Sequence, residues 1–118
     1  IVNQNWPGAL TLVLPASDKV PRVMNPQEPT TIGIRVPNHP IAQTILAQTG
    51  PMATTSANLS GQPTLETKAE IKAQFPEVLT LELTEYKGLG IPSTVAKWTE
   101  NNWQILRQGS IKLDNYEF

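Results

Sequence analysis

Hydroxyls and an amide crowd the stretch Gly50-Pro51-Met52-Ala53-Thr54-Thr55-Ser56-Ala57-Asn58-Leu59-Ser60-Gly61. Small polar side chains of this kind let a ligand come close to the backbone and offer it donors and acceptors together. Apolar Met52 and Ala53 predict a short buried strand opening into a polar loop at Ser56, where open α/β sheets place ligands. The competing reading is a Ser/Asn turn whose side chains bond their own backbone. Two arginines also stand at element ends. Arg35 stands within an alternating run that ends at Val36, just before Pro37, and Arg107 follows a second β-rich run. A guanidinium in such a place can fork onto a carboxylate or phosphate; equally, it can snorkel from a half-exposed strand.

The elements that would carry these groups are short, because 11 prolines cut the chain into pieces joined by stiff turns. Trp6-Pro7-Gly8 predicts a turn, and Leu10-Thr11-Leu12-Val13-Leu14 a buried strand. Pro15 to Pro29 reads as a loop in which Lys19 and Arg22 are solvated. Thr30 to Val36 alternates, with Ile32, Ile34 and Val36 on one face and Thr31, Gly33 and Arg35 on the other. Thr31 and Arg35 therefore project together, roughly 13 Å apart along an ideal strand.

Asn38-His39-Pro40 predicts a helix start with Asn38 as N-cap, an apolar stripe of Ile41, Ile45 and Leu46, and Gly50 as the terminating cap. His39, the sole imidazole, has no orienting partner nearby in sequence and reads as a residue opening the helix rather than a base. Thr67-Lys68-Ala69-Glu70 matches a capping box for a helix carrying Ile71 and Phe75 and closed by Pro76. Val78 to Leu83 alternates as a strand. Val95 to Trp98 and Trp103 to Leu106, joined by Thr99 to Asn102, predict a hairpin in which the two tryptophans pair across strands. Ser93 follows a proline at the entrance to this hairpin. Asp114 to Phe118 reads as a frayed tail. The loop Gly88-Leu89-Gly90 lacks the Gly-Lys-Ser/Thr ending of a P-loop.

Composition narrows the chemistry. The 118 residues support one domain with a single core. There is no cysteine and one histidine, so disulfides and thiolate metal sites are excluded, an all-protein zinc site is disfavoured, and no metal ligands are assigned. A net charge of −1 argues against a broadly basic nucleic-acid surface. No apolar run reaches membrane-spanning length, and the chain reads as soluble and cytoplasmic. No nucleophile–base pair or paired carboxylates are visible. Residue types alone stop at a small α/β domain suited to binding and positioning an anion.

Five motifs occur in order: Trp6-Pro-Gly-Ala-Leu-Thr-Leu-Val-Leu14, Ile34-Arg-Val-Pro-Asn-His-Pro40, Thr55-Ser-Ala-Asn-Leu-Ser-Gly61, Pro92-Ser-Thr-Val95 and Ile105-Leu-Arg-Gln-Gly109. Together they resemble the Sua5/YciO/YrdC family, whose best-known members are threonylcarbamoyl-AMP synthases. The resemblance runs from Trp6 to about Leu113 and implies an α/β fold, a twisted mixed sheet with flanking helices. Residues 1–118 would then form one YrdC-like domain lacking its N-terminal part, an expectation that Ile1 in place of Met also raises.

The resemblance implies that L-threonine, bicarbonate or CO2, and ATP give threonylcarbamoyl-adenylate and pyrophosphate, with Mg2+ helping on the phosphates. Downstream proteins would pass the group to adenosine 37 of tRNA. By the same resemblance Ser56 and Asn58 are catalytic and hold the nucleotide phosphates. Thr31 and Arg107 would touch ATP, Arg35 would grip the threonine carboxylate, and Thr55 and Ser93 would line the joint between threonine and nucleotide. The family's Lys-x-Arg pair has no counterpart before Trp6. Ala96-Lys97 stands where an acidic residue is frequent, and Ala9 and Gln108 stand where proline is common. This stretch by itself is therefore expected to bind nucleotide weakly and turn over little. Two other readings stay open: a YciO-like or carbamoyl-handling paralogue, and a non-catalytic RNA-binding module.

Overall fold

Leu10 to Pro15 forms the strand around which the sheet is built, β1. The computed structural model describes residues 1–57, 59, 61–65, 67–81 and 92–113. In chain order the elements are α1 (Val2–Asn5), β1 (Leu10–Pro15), a 3-10 turn (Arg22–Met24), β2 (Thr31–Arg35), α2 (Pro40–Thr49), α3 (Lys68–Gln74), β3 (Thr94–Trp98) and β4 (Trp103–Arg107). The strands make one mixed sheet in the order β2-β1-β3-β4. β1 is antiparallel to β2 and parallel to β3, and β3 is antiparallel to β4. The α/β mixed sheet expected from the sequence is thus present.

The period of two in each strand sorts its residues onto two faces. Leu10, Leu12, Ala96 and Trp103 lie on one face and, with Leu113, form the buried core. Ile1, Trp6, Leu14, Trp98, Ile105 and Ile111 pack against it. Leu10 and Leu12 are fully buried because β1 has a neighbour on each side; each such side chain contributes roughly 1.5–3 kcal/mol. Trp98 and Trp103 meet edge to face, with centroids 5.0 Å apart, as the hairpin pattern predicts. The turn between them is closed by Thr99, whose amide donates to the Asn102 carbonyl at 2.9 Å.

Several local expectations need correction. The N-cap of α2 is His39, not Asn38: its Nδ1 accepts from the Ala42 amide at 3.2 Å, since an imidazole acceptor one residue later reaches the same orphan N–H groups. Met52 and Ala53 form no strand, and Met52 is exposed. Gly50, at φ 74°, turns the chain out of α2, and among the described residues no strand pairs with Met52 or Ala53. The strand expected at Val78 to Leu83 is also absent over residues 78–81, where Leu79 is 90% exposed; its last two residues lie outside the described ones. Alternation without a partner ladder does not make a strand. A helical turn at Val2–Asn5, which no signal announced, is closed by the Trp6 amide on the Val2 carbonyl. Thr67 caps α3 as expected: its hydroxyl accepts from the Glu70 amide at 3.2 Å.

The chain divides into two compact units. Residues 1–53 and 92–118 make one, which holds the sheet, and residues 54–91 make the other, which holds α3.

Candidate functional site

Register places the chemistry. Thr11 on β1 pairs with Arg35 on β2 and with Val95 on β3, and Val95 pairs with Arg107 on β4. Paired residues share a face, so Arg35, Thr11, Val95 and Arg107 form one row across all four strands, on the face opposite Leu10, Leu12 and Ala96. Thr31 and Gly33 lie on this face too, four and two residues back from Arg35 along β2.

Arg107 reaches this face through a β-bulge. Ala96 pairs with Ile105, but Val95 pairs with Arg107, so Leu106 is an extra residue in β4. Simple alternation from Trp103 through Ile105 would have turned Arg107 towards the apolar core. Such bulges re-aim a side chain where one is needed.

The row is tied to the start of β3. Arg107 Nε donates to the Ser93 carbonyl at 2.9 Å, and its Nη2 lies 3.3 Å from Ser93 Oγ. Ser93 Oγ is also 2.7 Å from Thr11 Oγ1. Ser93 is buried, at 6% exposure, so its hydroxyl is held between a threonine and a guanidinium. Beneath it, fully buried Thr94 accepts from the Gly109 amide at 2.9 Å and donates to the Ile111 carbonyl. Gly109 is required here by close approach: a Cβ on it would stand 2.2 Å from the Pro92 carbonyl oxygen.

The neighbouring row carries a third cation. Lys97 Nζ reaches Glu28 Oε1 at 2.6 Å, which fastens the loop before β2 over this face. In that loop the Thr31 hydroxyl accepts from Asn25 Nδ2 at 3.0 Å and donates to the Glu28 carbonyl at 3.1 Å. A cavity of about 460 Å³ lined by Ile1, Val2, Asn3, Leu14, Trp98 and Trp103 lies on the apolar side and holds none of these groups.

Of the residues singled out in the sequence, the sheet unit thus brings together Arg35, Ser93 and Arg107, with Thr31 further along the same face. Thr55 and Ser56 are exposed and belong to the second unit. Asn58 lies outside the described residues. Thr11 was missed: it was read as one residue of an apolar strand, although a lone hydroxyl among aliphatics was the available signal.

The sheet unit is thus an α/β domain that carries Arg35 and Arg107 in one cross-strand row, with buried Ser93 hydrogen-bonded to Arg107. The chain belongs to the Sua5/YciO/YrdC family, whose profile, described as "Telomere recombination", matches residues 1–109. Among curated relatives, the threonylcarbamoyl-AMP synthase of Bacillus subtilis is 37% identical over 99% of this chain and 34% of its own length. That of Vibrio campbellii is 39% identical over 92% of this chain and 58% of its own length. Among solved structures, Escherichia coli YciO superposes with a TM-score of 0.76 at 35% identity, covering 92% of this chain and 54% of that one. Pyrococcus abyssi Sua5 complexed with L-threonine gives a TM-score of 0.80 at 34% identity, covering 92% and 32%. The chain therefore spans between a third and three-fifths of the length of these relatives.

Proposed function

We propose that the full-length protein is a threonylcarbamoyl-AMP synthase acting on L-threonine, bicarbonate or CO2, and ATP in the cytoplasm. The observation that carries this reading is the cross-strand row of Arg35, Thr11 and Arg107 closed by Ser93. It is supported by relatives that bear this activity in their names and by a structural neighbour complexed with L-threonine.

In this reading the threonine amine and bicarbonate give a carbamate and water. A carbamate oxygen then attacks the α-phosphorus of ATP, and the bond to the leaving pyrophosphate breaks. The protein's work is positioning and charge neutralisation. Arg35 forks onto the threonine carboxylate, and Ser93 and Thr55 line the joint with the nucleotide. Arg107, anchored by its Nε on the Ser93 carbonyl and by its Nη2 on Ser93 Oγ, turns its other N–H groups to the ATP side. Thr31 touches ATP, and Ser56 and Asn58 hold its phosphates. Among the described residues no group of His, Cys, Asp or Glu could hold a metal. Mg2+ would accompany the ATP phosphates and offset their charge. The adenylate would pass to transferase proteins that modify adenosine 37 of tRNA.

The test is to incubate full-length protein with L-threonine, ATP and 13C-bicarbonate and to analyse the products by mass spectrometry. Labelled threonylcarbamoyl-adenylate is expected. A folded protein that yields none would reject the synthase and leave the paralogue or the RNA-binding module; the latter predicts RNA binding that weakens steeply with salt.

A further inference from the structure

We infer that Thr11 has a positioning role: its bond to Ser93 leaves one hydroxyl proton of the pair to present to the ligand carboxylate; this rests on the threonine-binding reading above. A hydroxyl has one proton to give and two lone pairs. Arg107 Nη2 can only donate, so at 3.3 Å it takes one lone pair of Ser93 Oγ. Thr11 Oγ1, at 2.7 Å, shares a single proton with Ser93 Oγ.

Either direction of that bond has the same consequence. If Thr11 donates, both Ser93 lone pairs are used and the Ser93 proton is left over. If Ser93 donates, the Thr11 proton is left over. The pair therefore always presents one O–H beyond its described bonds. That donor sits in the row that places Arg35 beside Thr11 and Arg107 beside Val95. A carboxylate gripped by Arg35 thus finds one hydroxyl donor from the Thr11–Ser93 pair, on β1 or at the start of β3, held in place by the bond between the two.

Arg107 has a shorter anchor besides this hydroxyl. Its Nε bond goes to the Ser93 backbone carbonyl, which survives any change at Thr11. The consequence is a split between substrates: loss of the Thr11 hydroxyl weakens threonine recognition and leaves ATP recognition in place. A purely structural role for Thr11 would disturb both.

The experiment uses full-length protein carrying Thr11→Val, Thr11→Ser or Thr11→Ala. Pyrophosphate release gives the KM for each substrate, and calorimetric titration with L-threonine gives binding directly. Thr11→Val keeps the shape and removes the hydroxyl; Thr11→Ala replaces it if the valine variant does not fold. The threonine KM and Kd should rise about tenfold, as for a bond to a charged group worth about 1.5 kcal/mol. The ATP KM should stay within twofold, and Thr11→Ser should restore threonine binding. If the parent is active and Thr11→Val leaves threonine binding unchanged, or shifts both substrates equally, the positioning role is overturned and the synthase stands. A parent that releases no pyrophosphate but binds threonine more tightly than Thr11→Val refutes the synthase and retains the role. A parent that does neither overturns both.

Discussion

Adding one methyl group at Gly109 should loosen the whole anion-facing row. The Cβ of Gly109→Ala would stand 2.2 Å from the Pro92 carbonyl oxygen and 2.7 Å from both the Ser93 carbonyl carbon and the Thr94 amide nitrogen. All three are backbone atoms, so no side-chain rotation relieves the clash, and the segments 92–94 and 107–111 must part. Overpacking of this kind costs about 1–3 kcal/mol. Stretching the Gly109 amide bond to Thr94 and the Arg107 bond to Ser93 adds about 1 kcal/mol. At about 4 °C per kcal/mol for a chain of this size, a total of about 2–4 kcal/mol lowers Tm by about 8–16 °C. Thermal unfolding followed by circular dichroism, run on parent and Gly109→Ala, measures this. Because the same displacement moves Ser93 away from Thr11 and Arg107, ligand binding should weaken even well below the new Tm. A Tm within 2 °C of the parent would show that the two segments are not held in contact, and the geometry of the row would fall with it.

Two further predictions concern the supports of that row. Thr94→Val keeps the shape of a fully buried side chain but strands the Gly109 amide and the Ile111 carbonyl; each unsatisfied group costs about 1–3 kcal/mol, so the urea midpoint should fall clearly with an unchanged slope. Lys97→Met removes a pair whose side chains are 27% and 50% exposed; such pairs are worth about 0–1 kcal/mol, so Tm should move little, and less still in high salt.

What the sequence disclosed follows its local patterns. The runs at Leu10 to Leu14, Thr31 to Arg35 and the tryptophan-flanked hairpin could be read because each alternates and finds a partner ladder. Arg35 could be read for the same reason, since its face follows from parity along β2. Arg107 could be marked as a residue but not placed: parity with Trp103 and Ile105 points it into the core, and only the extra Leu106 in β4 turns it outwards. Thr11 stayed hidden because its role arises from pairing between strands more than eighty residues apart in the case of Ser93. Val78 to Leu81 shows the reverse failure, an alternating pattern that pairs with no strand among the described residues. Met52 is similar, an apolar residue that the chain leaves exposed.

The most direct test is the threonine dependence of pyrophosphate release by the full-length protein supplied with ATP and bicarbonate. Release that appears on adding L-threonine and saturates with it is the expected result. Release that is indifferent to threonine, or no release from a folded protein, would contradict the proposal that this sheet face receives the amino acid beside the nucleotide.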